Sequence, residues 1–109
     1  MERDKAYLLD ILEAAKIILE YVKNKSKDQF CKDLQCQDAV IHRLSIIGEA
    51  AKRVSREKQN SLSNLPWKEM IGMRNFLIHS YDHVDLDIVW DTIQSNLPSL
   101  VENLKKILS

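Results

Sequence analysis

Val40-Ile41-His42-Arg43-Leu44-Ser45-Ile46-Ile47-Gly48-Glu49-Ala50-Ala51-Lys52-Arg53-Val54 decides the fold class. Its apolar residues Val40, Leu44, Ile47, Ala51 and Val54 recur at steps of four, three, four and three, the seam of a helix packed in a bundle. Gly48 interrupts an otherwise good helix former. A glycine inside a helix costs up to about 1 kcal/mol relative to alanine, so it either marks the close approach of a second helix or is simply tolerated. This helix is expected to start at Asp33 or Gln35 and to end near Arg56.

The same period extends outward on both sides. Upstream, Leu8, Ile11, Leu12, Ala15, Ile18, Leu19 and Val22 share one face of a helix from about Asp4 to Lys25. A second apolar set, Tyr7, Ala14, Ile17 and Tyr21, widens that stripe beyond the needs of a simple surface helix, enough for a core face and a face toward a partner subunit. Ser26 and Gln29 have the spacing of a capping box and open a short helix through Phe30. Downstream, 59–65 is polar and reads as a loop. Asn64-Leu65-Pro66 suits a helix start, and the helix carries Trp67, Met70, Ile71, Met73 and Ile78 to an end near His79 to Tyr81. Asp82 to Asp85 form a connector. The last helix follows Leu86, Val89, Ile93, Leu97, Leu100, Leu104 and Ile107. Pro98 falls within it, and the apolar register continuing past Pro98 favours a kink over a break. The sum is an all-α fold of four long helices plus a short one, a single domain over 1–109.

Composition agrees. The 109 residues contain only 2 Gly and 2 Pro, which suits long helices and argues against a β-sandwich or a disordered chain. The charged N-terminus and interrupted apolar runs predict neither a signal peptide nor a membrane span, hence a cytoplasmic protein. In such a compartment Cys31 and Cys36 are expected as semi-buried thiols rather than a disulfide or a zinc site. Sixteen basic residues balance sixteen acidic ones. The chain therefore does not coat a nucleic acid by bulk charge, and any polyanion must meet a local patch.

Chemistry concentrates in Met73-Arg74-Asn75-Phe76-Leu77-Ile78-His79-Ser80-Tyr81-Asp82-His83. Asn75 and His79, four apart, share a helix face. Arg74 lies about 140° round from His79, within reach of a long side chain, while Phe76 and Leu77 can point to the core. RNA carries its own nucleophile, the 2′-hydroxyl. Cleavage needs a proton taken from it, charge stabilised on phosphorus, and a proton given to the leaving oxygen. Histidine moves protons near neutral pH, arginine clamps phosphate with a planar fork, and asparagine orients either. One histidine per chain is a thin kit for two transfers, which a symmetric dimer would complete. Equally, an arginine and a histidine near a helix C-terminus can simply complement its dipole.

Other candidates are weaker. His79 and His83 with Asp82, Asp85 and Asp87 could hold a metal only if His83 were helical. Lys52, Arg53, Arg56 and Lys58 form a basic run that is either an RNA-backbone patch or a solvated helix end. His42 reads as structural, and Trp67 and Trp90 as core packing.

Arg74-Asn75-x-x-x-His79-x-Tyr81 resembles the R-x-x-x-x-H-x-Y signature of the HepT-like toxins, a branch of the HEPN superfamily. Tyr7 to Glu13, Gln37 to Val40, Ile47 to Lys52, Pro66-Trp67-Lys68, Ile71 to Asn75 and Val84 to Trp90 are similar to the family's helices in order. The resemblance implies an antiparallel, HEPN-like helical bundle forming a homodimer whose two motifs face one another. It implies a metal-independent ribonuclease toxin with no cofactor, partnered by a nucleotidyltransferase antitoxin that transfers AMP to the motif tyrosine. Arg74 and His79 would be catalytic, Asn75 their polar support and Tyr81 the modified residue. Ser80 stands where many relatives have glycine, and Phe76 where a basic residue is common, which removes a possible phosphate contact. Two alternatives stay open: a non-catalytic nucleotide- or partner-binding helical module, and a metal-dependent phosphoesterase using His79, His83 and the nearby aspartates.

Overall fold

The helix that carries the first apolar stripe, α1, spans Glu2–Val22. The computed structural model describes residues 2–79 and 84–109, without the side chains of Glu2, Ile78 and His79. The width of the α1 stripe is explained by two neighbours inside the chain. One flank packs against α3 (Leu34–Arg53) and the other against α7 (Leu97–Leu108). Leu8, Ile11, Ala14, Ala15, Ile18 and Val22 are buried between them, and Leu9 and Tyr21 stay exposed. Of the second apolar set, Ala14 is taken into the chain's own core, Tyr7 and Ile17 are half-buried and Tyr21 is exposed.

Ser26 opens α2 (Lys27–Lys32) with the reciprocal bonds its spacing predicts: its hydroxyl accepts the N–H of Gln29, and the Gln29 side chain accepts the N–H of Ser26. Phe30 then enters the core and meets the ring of Trp90 at a centroid distance of 5.3 Å. Asp33 caps α3 by accepting from the N–H of Cys36 at 3.0 Å. Along α3 the expected seam is buried at every position, Val40, Leu44, Ile47, Ala51 and Val54. The two thiols are free, and burial pushes that of Cys36 up.

Two boundaries differ from expectation. The helix ends at Arg53 rather than Arg56, and a separate helix, α4 (Arg56–Ser61), occupies part of the segment read as loop. Asp4 of α1 causes the break. Its carboxylate accepts the N–H of Ser55 at 2.8 Å and its hydroxyl at 2.7 Å, while Ser55 in turn caps α4 by accepting from Lys58. The final helix is also not a single kinked element. It divides at Asn96 into α6 (Leu86–Ser95) and α7, with Pro98 in the first turn of α7, where its missing N–H costs nothing. Counting these divisions, the described residues form seven helices, where four long and one short were expected, and no strand.

The remaining helix, α5 (Trp67–His79), packs against α3. Trp67 leans on the core and donates its indole N–H to the carbonyl of Leu62 at 3.0 Å, which fixes the start of the helix. Met70 and Leu77 are buried, whereas Phe76 is only half-buried. No helix among the described residues is long and apolar enough to cross a membrane.

Candidate active site

Close packing of α5 on α3 governs the candidate site. It depends on Gly48: a Cβ there would overlap the Cβ of Arg74 and lie 3.0 Å from both Arg74 Cγ and the carbonyl oxygen of Met70. Of the two readings of this glycine, the close approach is the correct one. Beside it, Glu49 reaches across to the arginine. The Nε–H of Arg74 donates to Glu49 Oε2 at 2.6 Å, a short charge-assisted bond. The other carboxylate oxygen, Oε1, faces Arg53 at 3.8 Å. One carboxylate therefore lies between two guanidinium groups.

The Arg74 side chain is 26% exposed, and its Cβ and Cγ lie against α3 at Gly48. Its Nη1 reaches Oδ1 of the exposed Asn75 at 3.4 Å, a long contact that brings the two motif side chains together. Helix α5 continues unbroken through His79, so the positions of Asn75 and His79 fall on one face of it. The His79 side chain, and Ser80, Tyr81, Asp82 and His83 altogether, lie outside the described residues.

Of the basic run, Arg53 alone is tied to the motif among the described residues, through Glu49. Lys52 and Arg56 are exposed. The backbone of Lys58 is bonded to Ser55 at the start of α4. The four residues are divided between α3 and α4 instead of lining one helix end. Two aspartates of the metal alternative have other employment. Asp85 caps α6 by accepting from the N–H groups of Asp87 and Ile88, and Asp87 pairs with Lys27 at 2.9 Å. His42 is exposed on α3.

On its other flank, α5 borders an apolar groove of about 660 Å³ whose walls include Met70, Met73, Phe76, Ile88 and Leu100. Phe76, expected in the core, instead lines this groove. The residue that sequence reasoning missed is Glu49. Its only signal was a carboxylate directly after a helix-interior glycine.

The ribonuclease HepT-like family model matches residues 11–107 of the chain. A "Gamma-glutamylcyclotransferase and putative RNase" of Methanocaldococcus jannaschii is 42% identical over 109 residues, covering 99% of this chain and 49% of that protein. The chain thus spans about half the length of that relative. A "Putative RNase" of Caldanaerobacter subterraneus subsp. tengcongensis is 40% identical over 99% of this chain and 96% of its own. A "Probable ribonuclease HepT" of Thermococcus cleftensis is 39% identical over 94% of each chain. No solved structure gives a significant match.

Proposed function

The chain belongs to the ribonuclease HepT-like family, and from that premise we propose that it is a metal-independent endoribonuclease, the toxin of a toxin–antitoxin pair. Arg74 binds the scissile phosphate and stabilises the charge that builds on it. His79 moves protons as general acid and base, and Asn75 supports them. The 2′-hydroxyl gives up its proton, its oxygen forms a bond to phosphorus, and the bond from phosphorus to the 5′-oxygen breaks as that oxygen takes a proton. The products are a 2′,3′-cyclic phosphate and a 5′-hydroxyl. The observation that carries this reading is the state of Arg74: its stem is packed against α3, its Nε is held by Glu49, and its terminal nitrogens have only the long 3.4 Å contact of Nη1 with Asn75 Oδ1 among the described residues, which leaves donors for a phosphate.

The reading includes a homodimer of antiparallel bundles. Two copies of α5 facing one another would supply the second histidine that two proton transfers call for. Lys52, Arg53, Arg56 and Lys58 would meet the RNA backbone, Arg53 nearest the motif. The reading is of a cytoplasmic protein, controlled by a nucleotidyltransferase antitoxin. Tyr81 attacks the α-phosphorus of ATP, pyrophosphate leaves, and the phenol proton passes to solvent. The added AMP would bring a negative phosphate and a purine to the motif, repelling and occluding RNA.

The experiment is RNA cleavage by unmodified protein in excess chelator, next to Arg74→Ala and His79→Ala, with the new 3′ ends analysed. Cyclic phosphate ends that vanish in both variants support the proposal. Intact RNA, with Tyr81 free of AMP by mass, sinks it in favour of a non-catalytic binding module. Cleavage abolished by chelator sinks it in favour of the metal-dependent phosphoesterase.

A further inference from the structure

We propose that Glu49 is the positioning residue of this site: it takes the Nε–H of Arg74 so that the terminal guanidinium nitrogens are presented to phosphate. The inference rests on the nuclease reading of Arg74. Three features of the packing carry it. First, Gly48 brings the Arg74 stem against the α3 backbone, so the side chain leaves the helix interface in one direction. Second, Glu49 is the next residue along α3 and meets Nε, the one guanidinium nitrogen closest to that stem, at 2.6 Å. Third, the pair is partly open to solvent, 26% for Arg74 and 40% for Glu49, and the terminal nitrogens have only the long 3.4 Å contact of Nη1 with Asn75 Oδ1 among the described residues, so a phosphate can approach them while the carboxylate holds Nε.

The geometry sets the role. An arginine binds a phosphate best along a planar edge, and an unrestrained one must give up its rotamer freedom to do so. Fixing Nε restrains rotation about the end of the side chain and so sets the direction in which the planar fork of outer nitrogens faces. A carboxylate that captured those outer nitrogens would compete with RNA; one that captures Nε does not. Glu49 never touches the reacting atoms. It acts through Arg74, and Arg53 at 3.8 Å offsets part of its negative charge toward an incoming phosphate.

A salt bridge that only joins α3 to α5 would have a different signature. Partly exposed pairs contribute little to stability, so Glu49→Ala should leave the melting temperature nearly unchanged. Its kcat for RNA cleavage should nevertheless fall by roughly 10- to 100-fold with KM little altered, as loss of alignment in the transition state requires. Glu49→Gln keeps an acceptor for Nε and should restore most of the rate. In parallel, the Arg74 Nε–H resonance, assigned by its absence in Arg74→Ala, should exchange slowly with water in the unmodified chain and in Glu49→Gln, and quickly in Glu49→Ala. Equal exchange in the unmodified chain and Glu49→Ala overturns the proposal whatever the activity. So does full cleavage by Glu49→Ala, or a rate that Glu49→Gln fails to recover. If the unmodified chain protects the Nε–H but cuts no RNA, the nuclease reading fails instead, and Glu49 loses its catalytic meaning while the pairing stands.

Discussion

Asp4 and Ser55 are 51 positions apart, yet both carboxylate oxygens of Asp4 are used on Ser55, one on its N–H and one on its hydroxyl. The carboxylate is buried, and these bonds hold its pKa below the ordinary value, backbone bond first and hydroxyl second. Because the folded value is depressed, the stabilisation is present above the unfolded pKa and is lost as pH falls through the folded one. The unmodified chain should therefore lose stability more steeply below about pH 4 than Asp4→Asn. Denaturation midpoints of both proteins across that range test this; parallel curves would contradict it.

That pair also explains what the sequence could and could not disclose. The capping box at Ser26 and Gln29 is local, four residues long, and was legible in full. The seam from Val40 to Val54 was equally legible, because burial follows the helical period. The end of α3 was not, because the bond that breaks the helix comes from α1. The same holds at the site. Arg74, Asn75 and His79 announce themselves by residue type and spacing, but Glu49 is joined to Arg74 across 25 positions by the packing of two helices.

Gly48 and Gly72 give a paired test of that packing. Alanine at Gly48 overlaps the Arg74 side chain at its root, a backbone-proximal atom that cannot swing away. Overpacking of this kind costs about 1–3 kcal/mol, and it should lower RNA cleavage as well by displacing Arg74. Nothing lies within 4 Å of a Cβ at Gly72, so alanine there should gain up to about 1 kcal/mol of helix propensity. Urea denaturation of both variants reads the opposite signs directly. A neutral Gly48→Ala would mean that α3 and α5 do not approach this closely.

Pro98 separates a kinked helix from a divided one. In a helix interior a proline costs about 3 kcal/mol or more, and alanine would recover that amount. In the first turn of α7 its ring breaks no helical bond and presets φ. Pro98→Ala should therefore change stability by less than about 1 kcal/mol, with the sign set by the freedom restored to the unfolded chain. A gain near 3 kcal/mol, measured by thermal or urea unfolding, would restore the single kinked helix.

Arg74→Lys distinguishes charge from geometry at the motif. Lysine keeps the positive charge and can remain near Glu49, but it has no planar fork, so one ammonium cannot both hold the carboxylate and present an aligned edge to phosphate. The ion pair it perturbs is partly exposed, and its loss should cost no more than about 1 kcal/mol of stability. Cleavage should fall far more, by roughly 100-fold or greater, the scale seen when a donor to a developing oxyanion is removed. The fall should appear in kcat more than in KM, since lysine still attracts the RNA backbone by charge. Steady-state cleavage with RNA well above KM reads kcat alone. An Arg74→Lys protein that cuts at the unmodified rate would show that charge suffices and that the alignment built by Gly48 and Glu49 has no part in the chemistry.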